Sequence, residues 1–118
     1  MFRYAKQRKV LWPVTINAPS EDGSGTIESA EIKLLYELMR RSEAVEIEND
    51  IDKAQQVLPS KIHGWEGVAD EDGEDIPFSS DALAALLDVP YIERAFAIGL
   101  IQASNGAPAK NSKAGSGT

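Results

Sequence analysis

The chain changes period partway along. Val10-Leu11-Trp12-Pro13-Val14-Thr15-Ile16 is a β-branched and aromatic run that predicts a strand. Pro13 cannot donate to a ladder, so this strand belongs at an edge or is locally irregular. Residues 17–25, Asn-Ala-Pro-Ser-Glu-Asp-Gly-Ser-Gly, read as a turn or loop. From Thr26 the pattern alternates, with Ala30, Ile32 and Leu34 on one face and Glu31 and Lys33 on the other. An antiparallel hairpin is the economical reading. Helix competes with it, because Glu31 to Arg41 is full of good helix formers.

Beyond Ser42 the spacing becomes helical. Val45, Ile47, Ile51, Ala54, Val57 and Leu58 recur at roughly helical intervals, with Glu43, Glu46, Glu48 and Asp52 outside that stripe. Ser42 is a candidate N-cap, and Asn49 or Asp50 could cap a second helix. Pro59 should kink that helix or start another turn. Gly64 is read as its end. Residues 69–77 form an acidic turn, and Phe78-Ser79-Ser80-Asp81 opens a further helix whose apolar face is Ala82, Leu83, Leu86 and Leu87. A last helix from about Tyr91 to Ala103 presents Ile92, Ala95, Phe96, Gly99 and Leu100. The fold class expected is therefore α+β, an amino-terminal hairpin followed by a mainly helical body of three to four helices.

Residues 1–104 are read as one domain, in which 1–9 form a basic arm, and residues 105–118 as a flexible tail without a large apolar side chain. A chain of 118 residues with 42% hydrophobic and 26% charged residues suits one globular domain. Its net charge of −7 is unevenly placed. Six of the 12 basic side chains (Arg3, Lys6, Arg8, Lys9, Lys110 and Lys113) lie in the first and last nine residues. The span between them carries the other six and all 19 acidic ones, a balance of −13. Such a body repels nucleic acid and anionic membranes and attracts basic protein surfaces. No apolar run approaches the ~18 residues of a membrane span, and the basic start does not resemble a signal peptide. A cytosolic protein is expected.

Cysteine is absent, which removes disulfides, thiolate catalysis and Cys-ligated metal centres. The acidic turn Asp70-Glu71-Asp72-Gly73-Glu74-Asp75 invites comparison with a calcium loop. With Gly73 in the sixth position, however, the first would be Val68 and the twelfth Ser79, and neither fits. A solvated turn is the better reading. His63 lacks a recognisable nucleophile and orienting group, so it is read as structural or surface. Gly23-Ser24-Gly25 lacks the lysine and hydroxyl of a phosphate loop. Trp65, flanked by Gly64 and Gly67, reads as a core tryptophan at a helix–turn junction, and Phe78 as a second core aromatic. No catalytic residue, metal site or cofactor is expected, and the chain does not read as an enzyme.

One resemblance emerges from the order of these signals. The run Ile62-His63-Gly64-Trp65-Glu66-Gly67-Val68-Ala69-Asp70-Glu71-Asp72-Gly73 resembles the "GW-x-G-V-x-D-x-D-G" stretch of the small tail assembly chaperones of long-tailed bacteriophages, in their short, non-frameshifted form. It continues as that family does through Ile76-Pro77-Phe78-Ser79, Leu83 to Leu87, Pro90 and the helix around Ala95. The closing Gly106-Ala107-Pro108-Ala109-Lys110-Asn111 is similar to the family's terminal "G-x-x-x-K-N". The resemblance implies an α+β domain in the bacterial host cytoplasm, absent from the finished virion. It would bind the tape measure protein and keep it soluble until tail tube subunits polymerise around it. It also implies a longer frameshifted form as a possible partner, contact with the tail tube protein, and self-association along a long partner.

Leu83, Leu86, Leu87, Phe96 and Leu100 are the expected partner-binding residues, some of them shared with the core. An acidic inhibitor or nucleic-acid mimic that occupies a basic protein site is the alternative. It predicts carboxylates gathered on one exposed region.

Overall fold

Alternation extends further than the sequence reading placed it, and it is what builds the sheet. In the computed structural model, which describes residues 1–4, 6 and 8–106, β1 spans Lys9–Pro19 and β2 spans Ile27–Glu37. They pair antiparallel from Lys9↔Glu37 to Pro19↔Ile27. The hairpin is therefore longer than the expected 10–16 and 26–34. Asn17 stays in the strand because its Oδ1 accepts from Ser29 Oγ across the pair at 2.7 Å. Pro19 sits at the strand end, where a missing N–H costs no ladder bond. At the other end, Leu35, Tyr36 and Glu37 are strand despite neighbours of high helix propensity. Burial of Tyr36 on the same face as Ile32 and Leu34 decides the outcome.

A third strand, β3 (Ile62–Glu66), corrects the reading of Gly64 as a helix end. Helix α2 (Ile51–Lys61) stops at Lys61 and the chain turns directly into β3, which pairs antiparallel with β2 through Leu34↔Trp65 and Leu35↔Gly64. The sheet order is β1-β2-β3, so β1 is an edge strand, the position in which Pro13 is tolerated. Gly67 follows with φ of +89°, a conformation that glycine adopts without strain, and a Cβ there would meet Ile32 at 3.6 Å.

Four helices complete the described chain. α1 (Arg41–Asn49) begins one residue before the expected cap Ser42, with Arg40 as N-cap; the Arg40 amide donates to Glu43 Oε1 at 2.9 Å. Asp50 caps α2 by accepting from the Asp52 amide at 3.0 Å, as its side chain suggested. Pro59 lies inside α2 without ending it. α3 (Ser80–Leu87) is capped by Ser79, whose Oγ accepts from the Ala82 amide at 3.0 Å. α4 (Pro90–Asn105) starts on proline at the first turn and ends at Gly106 in the left-handed region, φ +68°.

The architecture is α+β, with the helices gathered on the inward face of the sheet. α4 packs along β1, and α2 and α3 pack on α4. Val14, Ile32, Leu34 and Tyr36 from the sheet meet Ile47, Ala54, Leu58, Ile62, Leu83, Phe96, Ala97, Leu100 and Ala103 in one core. Burying Phe96 and Leu100 completely contributes roughly 2–3 kcal/mol each. The Tyr36 hydroxyl crosses this core to donate to the Phe96 carbonyl at 2.7 Å, which satisfies the one polar atom of that ring. Burial pushes its pKa up. The proposed tail, apart from Asn105 and Gly106, lies outside the described residues.

Candidate functional site

Trp65 and Phe78 join the end of β3 to the loop before α3. Their rings meet edge to face with centroids 4.9 Å apart, and Trp65 Nε1 donates to the Ile76 carbonyl at 2.7 Å. Both are half-buried against the core, and Trp65 stands in β3 instead of at the helix–turn junction expected of it. Trp65→Phe should remove the hydrogen bond and part of the ring contact while keeping the fold, costing about 1–2 kcal/mol by urea denaturation. An unchanged midpoint would show that the indole N–H has no structural role.

The acidic turn is organised by its own first carboxylate. Asp70 Oδ1 accepts from the Asp72 amide at 2.9 Å and the Glu74 amide at 3.0 Å. Asp70 is thus committed to backbone donors, in the manner of an Asx turn. No group of three or more His, Asp or Glu side chains is arranged to hold a metal among the described residues. His63 Nε2 lies 3.0 Å from Glu37 Oε1. Glu37 in turn pairs with Lys61 at 3.5 Å, and Lys61 reaches Glu43 at 3.0 Å. Lys61 is only 8% exposed, a cation set between two carboxylates. The His63 hydrogen bond, with Lys61, holds the Glu37 pKa down; the Arg40 amide, with Lys61, does the same for Glu43. This cluster ties α2, β2, β3 and α1 together.

The five leucine and phenylalanine positions expected to meet a partner divide sharply. Leu83, Phe96 and Leu100 are buried in the core, while Leu86 and Leu87 are half-buried against it. Leu83 and Leu87 border a small depression of about 230 Å³ that also includes His63 and Phe78. The apolar side chains that α4 turns outward are different ones. Tyr91 is 39% exposed and Ile98 44% exposed, two turns apart on the helix. They flank a groove of about 330 Å³ between α4 and β1, walled also by Val14, Thr15, Arg94 and Ala95. Sequence spacing selects the strongest apolar stripe, and on α4 that stripe is the core. Tyr91 and Ile98 lie seven residues apart beside it, a weaker signal that the same helical arithmetic contains.

Charge is segregated along the hairpin. Its closed end carries Glu21, Asp22, Glu28 and Glu31. The end of β3 leads from Glu66 past Ile32 into the turn with Asp70, Glu71, Asp72, Glu74 and Asp75. At the open end, a second and larger groove of about 860 Å³ is bounded by Lys6, Arg8, Arg40 and Arg41, with Phe2, Tyr4, Trp12 and Met39 among its apolar walls. No helix is long and apolar enough to cross a membrane among the described residues. No family model, curated protein or solved structure matches this chain.

Proposed function

We propose that this protein is a phage tail assembly chaperone that binds the tape measure protein and keeps it soluble before tail tube polymerisation. The observation that carries this reading in the structure is the apolar groove between α4 and β1, opened by Tyr91 and Ile98 on a strongly acidic body. A long helical partner presents apolar stripes with period 3.6, and a groove beside a helix accepts such a stripe at i, i+3, i+4 and i+7 positions. The surrounding carboxylates keep the complex in solution by charge. The resemblance to the tail chaperones over roughly residues 26–111, strongest over 62–111, supports the tape measure protein as that partner. Among the residues read from sequence, Leu86 and Leu87 retain partial exposure for contact; Leu83, Phe96 and Leu100 serve it by shaping the helices beneath.

Co-expression with the tape measure protein encoded in the same genome, followed by size-exclusion chromatography in about 0.5 M salt, tests this. Co-elution of an otherwise insoluble partner is the expected result. Tyr91→Asp with Ile98→Asp should abolish co-elution while the thermal midpoint falls only slightly, because both side chains are already exposed. A partner that stays aggregated beside the folded wild-type protein would remove the assignment.

A second reading has one observation in its favour. Carboxylates do gather at the closed end of the hairpin and the turn after β3, as an acidic inhibitor of a basic protein site would require. Binding of that kind is electrostatic, so a partner released by about 0.5 M salt would favour this reading over the chaperone.

A further inference from the structure

The two ends of the hairpin differ in more than charge. Residues 27–31 of β2 are all exposed, and the turn from Glu21 to Thr26 is exposed too, so the closed end projects beyond the core as a two-stranded arm. Its turn is shaped from within. The Ser20 amide donates to the Thr26 carbonyl at 2.9 Å, and Asp22 Oδ1 accepts from the Ser24 amide at 2.9 Å. The Ser24 hydrogen bonds hold the Asp22 pKa down. The arm carries carboxylate side chains around one large apolar side chain, Ile27, which is 61% exposed.

Eleven paired residues away, roughly 35 Å at about 3.3 Å per residue, the open end has the opposite character. Phe2, Tyr4 and Trp12 line its groove with Lys6, Arg8 and Arg41, and none of the groove's lining residues is acidic among the described residues. Arg40 has Glu43 beside it. Lys6, Arg8 and Arg41 form no ion pair with a carboxylate among the described residues. The indole Nε1 of Trp12 is covered and has no hydrogen-bond partner among the described residues.

We propose that the acidic hairpin arm of one copy docks into the basic aromatic groove of a second copy, so that the protein associates head to tail. The occupant is argued from complementarity within one molecule. The groove offers guanidinium and ammonium groups around aromatic walls, and the arm offers Glu21, Asp22 and Glu28 around Ile27. A two-stranded tip about 10 Å across is of a size to enter a groove of about 860 Å³. The arm and groove are different surfaces, so the contact is heterologous. It leaves a free arm and a free groove at the ends of every assembly, and growth stops only if the rotation closes a ring. Nucleic acid would also meet cations and aromatic rings in the groove, but it would do so against the excess of 13 negative charges carried by residues 10–109. The proposal does not depend on the tail-chaperone reading.

A charge-swap experiment by sedimentation velocity tests it, with the untagged protein over a range of concentrations at ~20 mM and ~0.5 M salt. The wild type should gain mass with concentration in low salt and lose that gain in high salt. Glu21→Lys with Glu28→Lys and Glu31→Lys reverses the arm at exposed positions and keeps Asp22, which shapes the turn. Lys6→Glu with Arg8→Glu and Arg41→Glu reverses the groove, and an acidic residue at the first position of α1 suits that helix end. Each triple variant alone should associate at least ~10-fold more weakly than wild type. Mixed in equal amounts they should associate again, since a basic arm now meets an acidic groove and an acidic arm a basic one. A wild type that stays monomeric, or a mixture that stays monomeric, overturns the proposal. So does a monomer that retains a short single-stranded oligonucleotide and loses it on groove reversal, which would give the groove to nucleic acid.

Discussion

Gly99→Ala should destabilise the protein by about 2–3 kcal/mol and lower its thermal midpoint by roughly 10 °C. Helix propensity alone points the other way, because alanine in a helix interior is worth about 1 kcal/mol over glycine. Packing reverses the sign. A Cβ on Gly99 would overlap the Tyr36 hydroxyl and stand 2.8 Å from Val14 Cγ2. Neither neighbour can retreat cheaply. Tyr36 is fully buried and its hydroxyl is held by the Phe96 carbonyl, while Val14 belongs to the strand against which α4 packs. Gly99 therefore lets α4 pack directly on the Tyr36 and Val14 side chains of the sheet. Chemical denaturation of the variant checks this, and a variant as stable as wild type would refute it. Tyr36→Phe removes the overlapping oxygen, so the double substitution should cost less than the two single losses added together.

The second large effect is an asymmetry at Lys61. Glu37→Gln with Glu43→Gln should cost about 3 kcal/mol, because a nearly buried ammonium loses both its counter-charges. Lys61→Met should cost only about 1 kcal/mol: the carboxylates it abandons are 28% and 37% exposed and can rehydrate. Acid should reproduce the first result without mutation. Both carboxyls have folded-state pKa values below the ordinary 4.5, so the stability they contribute is present in full above about pH 4.5 and disappears as pH falls through the lowered values. Denaturation midpoints between pH 7 and pH 3 should show that loss in the wild type and a shallower one in the double glutamine variant. Equal slopes would mean that the cluster contributes nothing to folding.

The sequence reading recovered element types well where one physical signal dominated. Alternation at Ala30 to Leu34, the helical spacing from Ile47 to Leu58, and the hydroxyl of Ser79 before α3 each translate directly into structure. It lost ground where a distant partner decides. Leu35 to Glu37 are strand because the core needs Tyr36 there, and Ile62 to Glu66 are strand because β2 offers an edge. Five residues containing a glycine show too short a period to be read alone. The site was less legible for a similar reason. Apolar strength identifies the residues that most need burial, so spacing groups Phe96 and Leu100 with Leu86 and Leu87 as core and partner-binding residues together, and the structure puts the first two inside. The groove residues Tyr91 and Ile98 announce themselves only after the core has been filled. The basic groove draws on both ends of the described chain, joining the arm before β1 to Arg41 and the end of α4, and no local pattern contains it.

Pro13 has a meaning for neighbouring molecules as well as for its own strand. An edge of eleven residues is long enough to template another chain, and in a crowded assembly that would end in indiscriminate stacking of strands. A residue without an N–H near the middle of that edge leaves no uninterrupted row of donors for an incoming strand to follow. Copies of this protein that meet are thereby steered away from backbone pairing along β1, and side-chain surfaces, which can be selective and reversible, are left to govern their encounters.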